Sequence, residues 1–275
     1  MVDRRLYFFE NDGAGNFSER AGQRIDPTDA ITDVNLTRFV NAGFADMMGD
    51  PLPDLLLVYD GGVALFENQG DFRFGAGKEI FHDPTEPDLG MNQVTWADVD
   101  QDGDLDIFVP TFATSTSTEV EVFPRHIPSL DRLLLNDNGN FSVAYTLPLD
   151  GIPTNANLAM FTDRDGDSDA DLLVPTDYAE FTLPTAFYRN DGPEDLGLPV
   201  LQDDAADVSA DLQLFGMGID SADINGDGFL DYCIASFGPL VCINNDGADQ
   251  YVDMTAAYGM TAPEHVDVPG SWSLW

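Results

Sequence analysis

DVDQDGDLDIFV, residues 98–109, places an acidic side chain at every second position and then turns abruptly apolar. The pattern returns as DRDGDSDADLLV from Asp163 and DINGDGFLDYCI from Asp223. Counted from the first aspartate, positions 1, 3, 5 and 9 carry carboxylate or amide oxygens, position 7 offers a backbone carbonyl, and a small residue at position 6 permits a sharp turn. Oxygen-only ligation of this number suits a hard cation of calcium size. One Asp-Gly pair reads as a solvated turn, but three frames in register crowd carboxylates that oppose one another's ionisation unless a cation sits among them.

An EF-hand starts with the same spacing, yet it ends in a bidentate Glu at position 12 between two helices. Here position 12 is Val109, Val174 and Ile234, each inside a strand-like apolar run. The expected ligands therefore sit in strand-loop-strand turns. They are Asp98, Asp100, Asp102, Asp104 and Asp106 in one ladder, and Asp163, Asp165, Asp167, Asp169 and Asp171 in the next. The third holds Asp223, Asn225, Asp227, Phe229 and Asp231, with Asp104 and Phe229 ligating through carbonyls only. Ser168 stands where Gly is expected and strains its turn by roughly 1 kcal/mol. A fourth frame, DMMGDPLPD from Asp46, has Met48 and Pro51 at positions 3 and 6 and reads as a degenerate loop around Asp46, Asp50 and Asp54.

The first ligands Asp46, Asp98, Asp163 and Asp223 are 52, 65 and 60 residues apart, a period that indicates an all-β fold, a β-propeller of four-stranded antiparallel blades. In the Asp98 unit the strands run Val94–Trp96, Ile107–Val109, Leu133–Leu135 and onward from Phe141. A turn from Asn11, Asn68, Asn136, Asn190 and Asn245 joins third to fourth strands, its Asn/Asp-Gly pairs supplying positive backbone angles. LLLV at 55–58 is then a strand buried on both faces. The units are 27–80, 81–148, 149–203 and 204–258, with partial blades at 1–26 and 259–275. The expectation is a partial propeller of four blades plus split ends, a piece of a larger ring.

Fifty acidic residues against 11 basic ones give a net charge of −39, more than the ladders account for. Such a surface repels nucleic acid and anionic membranes. The start, MVDRRLYFFEND, lacks the apolar core of a secretion signal, and no stretch approaches the roughly 18 apolar residues of a membrane span. Cys233 and Cys242 fall on successive strands of one hairpin, where they either pair or remain two buried thiols.

The D-x-[DN]-x-D-G-x-x-D frame, the N-x-G-x-F-like turn and MTAAYGM (254–260) resemble FG-GAP/VCBS repeats of integrin α-chain propellers and bacterial surface proteins, in particular a cartilage-acidic-protein-like subgroup. The resemblance implies a calcium-stabilised propeller with about three structural Ca²⁺ sites, exported to the cell surface, periplasm or extracellular space and used for adhesion or as a scaffold. Affinities of about 10⁻⁴–10⁻³ M suit such modules outside a cell. The implied partner is a protein or glycan ligand, with no membrane insertion.

A propeller portion of a secreted carbohydrate-active enzyme is the alternative. His82, His126 and His265 lie in loop-like stretches outside any nucleophile or zinc motif. Trp96 and Trp275 share an alignment position just before a ladder, so they and the neighbouring Trp272 read as packing more readily than as a sugar platform. The inserts from Thr111 and Pro175, with Phe123 and Tyr178, are recognition candidates because loops on rigid sheets commonly carry binding function.

Overall fold

A computed structural model describes residues 6–20, 39–59, 61–83, 89–114, 126–127, 129–177, 179, 183–193, 197–236 and 240–261. Within them the chain forms strands and no helix. Strands β1 (Phe9–Asn11) and β2 (Phe17–Glu19) make an antiparallel hairpin. Sheet I follows, with β3 (Phe39–Ala45), β4 (Asp54–Tyr59), β5 (Gly62–Phe66) and β6 (Lys78–His82) in simple meander order. After the two-residue β7 (Leu89–Gly90), sheet II takes β8 (Thr95–Ala97) and β9 (Asp106–Val109). The chain then makes β10 (Phe112–Thr114) and β11 (His126–Ile127) and completes sheet II with β12 (Asp131–Asp137) and β13 (Asn140–Leu147). Sheet III is β14 (Met160–Thr162), β15 (Asp171–Val174), β16 (Ala186–Pro193) and β17 (Pro199–Asp203). Sheet IV is β18 (Gly216–Ala222), β19 (Asp231–Ser236), β20 (Val241–Asn245) and β21 (Tyr251–Asp253).

The apolar runs are buried on both faces because side chains of period two meet a different neighbour on each side. Leu56 and Val58 of β4 pack with Ile107 and Val109 of β9, joining sheets I and II. Phe108, between those two, points the other way and meets Leu172 and Val174 of β15. Leu173 in turn packs with Phe187, Tyr232 and Ile243, joining sheets III and IV. On the remaining face of sheet I, Leu55, Leu57 and Tyr59 cluster with Phe8 beside β1. Four sheets thus stack face to face in chain order, each sealing the core of the next.

Trp96 is a packing residue: a Cβ on Gly43 of β3 would lie 2.7 Å from its ring, so glycine there lets the first strands of sheets I and II approach. The described ends of the insert from Thr111 are strands, since β10 pairs with both β7 and β11 in a three-stranded sheet. Cys233 and Cys242 stand directly opposite on β19 and β20, with Cα atoms 4.1 Å apart, and form a disulfide. Trp272, Trp275, His265, Phe123 and Tyr178, and most of the partial unit 259–275, lie outside the described residues.

Phe108 is fully buried between sheets II and III, so Phe108→Ala should cost about 3–5 kcal/mol in denaturant unfolding. Val143→Ala on β13, where the side chain is half exposed, should change stability by no more than about 0.5 kcal/mol.

Candidate metal centres

Every ladder loop joins the first and second strands of its sheet, and position 9 is the opening residue of the second strand. The loops need positive φ twice, at positions 4 and 6: Gly49 and Pro51, Gln101 and Gly103, Gly166 and Ser168, Gly226 and Gly228. Only the last pair is glycine throughout. Ser168 sits at φ 78°, in the left-handed region that its Cβ disfavours. Pro51 at 38° is opposed by its own ring, as befits a degenerate loop. The need at position 4 was readable in Gly49, Gly166 and Gly226.

Backbone N–H groups inside the loops point at the ladder carboxylates. Asp98 Oδ2 accepts from Gly103 (3.1 Å), Asp163 Oδ2 from Ser168 (3.2 Å), and Asp223 Oδ2 from Gly228 (3.0 Å). Position 5 caps position 7, through Asp102 to Asp104, Asp167 to Asp169 and Asp227 to Phe229, each at 2.9 Å. The Asp104 carboxylate reaches the N–H of Asn138 at 2.7 Å, which leaves its carbonyl as the ligand offered at position 7.

Position 9 does the structural work in all four loops. Asp54, Asp106, Asp171 and Asp231 are fully buried, and each accepts two backbone N–H groups. One comes from position 2 of its own loop: Met47, Val99, Arg164 and Ile224, all at 2.9 Å. The other comes from the asparagine that begins the turn between third and fourth strands: Asn68, Asn136 and Asn190 at 2.8 Å and Asn245 at 3.1 Å. These asparagines are more than turn formers. Asn136 Nδ2 donates to the Met47 carbonyl of the preceding loop (2.9 Å), Asn190 to Val99 (2.9 Å) and Asn245 to Arg164 (3.0 Å). Each loop is thereby tied to the one before it.

The ligand atoms of Asp98, Asp100 and Asp106 lie within 4.8 Å of one another, as do those of Asp163, Asp165 and Asp171. Positions 1, 3 and 9 are thus gathered, while the position-5 carboxylates Asp102 and Asp167 fall outside these groups. The third loop carries Asn225 at position 3, an amide oxygen in the corresponding place, and its Nδ2 donates to Asp227 (2.7 Å). Asp98 Oδ1 is buried with no hydrogen-bond partner, an arrangement a ligated cation would relieve. Burial, against the pull of the backbone bonds, pushes both Asp106 and Asp171 up to about 7. Asp100 and Asp165 are also raised, by burial and then by the neighbouring Asp102 and Asp167. These donors fit a divalent hard cation, whose charge favours the ionised form of each.

Arg164, at position 2 of the second full ladder, occupies a place held by apolar Met47 and Val99 in the two loops before it. Its guanidinium is buried, lies 2.6 Å from Asp204 and 3.2 Å from Asp249, and stacks over Phe187 at 4.6 Å. Nothing in the repeat pattern announced it. His82 Nδ1 lies 2.8 Å from the Gly61 carbonyl, a structural contact, and the side chain of His126 is outside the described residues.

Residues 46–109 match the family model of the FG-GAP-like repeat. The matched span begins at the degenerate loop and ends with β9 after the Asp98 ladder. No curated protein matches. Among solved structures, an Agrocybe aegerita lectin described as recognising non-reducing terminal N-acetylglucosamine is 16% identical, with 79% of this chain and 66% of that one covered at a TM-score of 0.33. The Photorhabdus luminescens Tc holotoxin pore is 16% identical, with 83% of this chain and 12% of that one covered at a TM-score of 0.25.

Removing the Asn190 amide orphans the buried Val99 carbonyl, so Asn190→Ala should cost about 1–3 kcal/mol in denaturant unfolding. Ser168→Gly should gain about 0.5–1 kcal/mol in the same measurement, since it relieves a left-handed residue. In chelator the folded protein retains protons on Asp106 and Asp171 that the unfolded chain releases from its ordinary value of 3.8 upward. Its melting temperature should therefore fall as pH rises from about 5 to about 7.5, and millimolar calcium should reverse the trend.

Proposed function

We propose that this chain is a calcium-stabilised, propeller-type scaffold of FG-GAP-like repeats that is exported and presents its inserts to a protein or glycan partner. The observation that carries the proposal is the gathered carboxylates of the ladder loops, with Asp98 Oδ1 buried and unpaired among them. Calcium takes six to eight oxygen ligands. Here the two side-chain groups, the position-7 carbonyls and the remaining loop carboxylates supply that chemistry without histidine or cysteine.

The Cys233–Cys242 disulfide supports an oxidising compartment, where such bonds persist. The net charge of −39 supports a surface that avoids nucleic acid and anionic membranes. Calcium's role in this reading is structural. It neutralises the loop at one end of each sheet, at the same corner where the position-9 aspartate and the asparagine bind successive repeats together.

Thermal melts test the reading. Millimolar calcium should raise the melting temperature over that in EDTA, with the gain increasing with calcium concentration as mass action requires. Asp98→Asn, Asp163→Asn and Asp223→Asn should each remove part of the gain. Melts that coincide in EDTA and calcium would contradict the proposal.

A further inference from the structure

A second acidic feature lies away from the ladders, in a cavity of 220 Å³ between sheets II and III. Its walls are Asp131, Asp150, Asp203, Tyr188, Thr154 and Thr176, with Pro148, Val174, Leu183, Pro184 and Ala186 forming the apolar part. Among the described residues no basic side chain lines it.

Asp131 opens β12 and is only 2% exposed. Its Oδ1 accepts the Thr111 N–H at 2.7 Å, while its Oδ2 has no hydrogen-bond partner among the described residues. Tyr188 of β16, also 2% exposed, has a hydroxyl with no such partner either. Burial, then the charges of Asp203, Asp131 and Asp150, hold the Tyr188 phenol above its ordinary value, which places all three carboxylates around that ring. Asp203 spends Oδ1 on the N–H groups of Phe187 and Ala205, and Asp150 spends Oδ1 on Ile152. The adjacent Arg132 directs its guanidinium to Asp83 at 3.0 Å and to the Leu130 carbonyl, so it reaches the Asp131 carboxylate through its charge and not through a hydrogen bond.

Two polar atoms without partners, on side chains only 2% exposed, and three carboxylates around one volume are costly unless something donates to them. The volume is far too large for a bare ion, below the roughly 300–1,000 Å³ of drug-sized sites, and partly apolar. We infer that this cavity binds a short-chain alkylammonium group, its cationic head on Asp131 and Tyr188 and its methylene stem against Pro148, Leu183 and Pro184. The head supplies three donors, which suits the acceptors present.

NMR titration with n-butylammonium, with millimolar calcium present to keep the ladders saturated, tests the inference independently of the metal reading. Saturable backbone shifts at Thr154, Thr176 and Tyr188 are expected, with none from n-butanol. Asp131→Asn should weaken binding at least tenfold, and Tyr188→Phe, which removes only a hydroxyl, should weaken it severalfold while the melting temperature stays within a few degrees. A second arm with Nα-acetyl-lysine amide separates the two sources of this chemistry: shifts matching those of n-butylammonium assign a protein side chain, and shifts with n-butylammonium alone assign a free amine. Non-saturating shifts from both amines, equal shifts from n-butanol, or undiminished binding in both variants would overturn the inference.

Discussion

A buried aspartate at the head of each second strand is the constraint on which the rest of the stack depends. Asp54, Asp106, Asp171 and Asp231 have no exposure to water, so each must replace its lost hydration with fixed donors. The donors come from two places at once, the ladder loop that leads into the strand and the asparagine turn on the neighbouring strand at the same end of the sheet. One carboxylate therefore sets the geometry of both turns. The asparagine amide then extends the link to the loop before, so that loops 46–54, 98–106, 163–171 and 223–231 form a connected corner along the stack.

That corner explains why ladder and strand occur together in the sequence. The apolar run after each ladder packs alternately on two neighbouring sheets, and the ladder gives the chain its reversal into that run. A cation among positions 1, 3 and 9 would act on the same aspartate that grips the backbone, which would couple ligand binding to sheet packing through one side chain. Burying a position-9 carboxylate is expensive in the absence of positive charge, and the raised proton affinity of Asp106 and Asp171 expresses that cost.

Much of this was legible in the residues. The ladders marked the loops, the apolar runs marked the second strands, and the Asn-x-Gly turns marked the hairpins. What could not be read is what depends on distant partners. Asn136, Asn190 and Asn245 read as turn formers, since nothing local says that their amides reach the repeat before. Arg164 breaks the apolar rule at position 2, and its partners Asp204 and Asp249 lie 40 and 85 residues away. The insert from Thr111 read as a loop because its strands are two or three residues long, too short to show a period. The cavity at Asp131 and Tyr188 is assembled from two sheets and has no motif.

The most direct measurement is anomalous scattering from crystals grown in millimolar calcium. The account predicts one ion in each of the loops at Asp98, Asp163 and Asp223, ligated by positions 1, 3 and 9 together with the position-7 carbonyl. Ordered water, or nothing, at all three loops would contradict it.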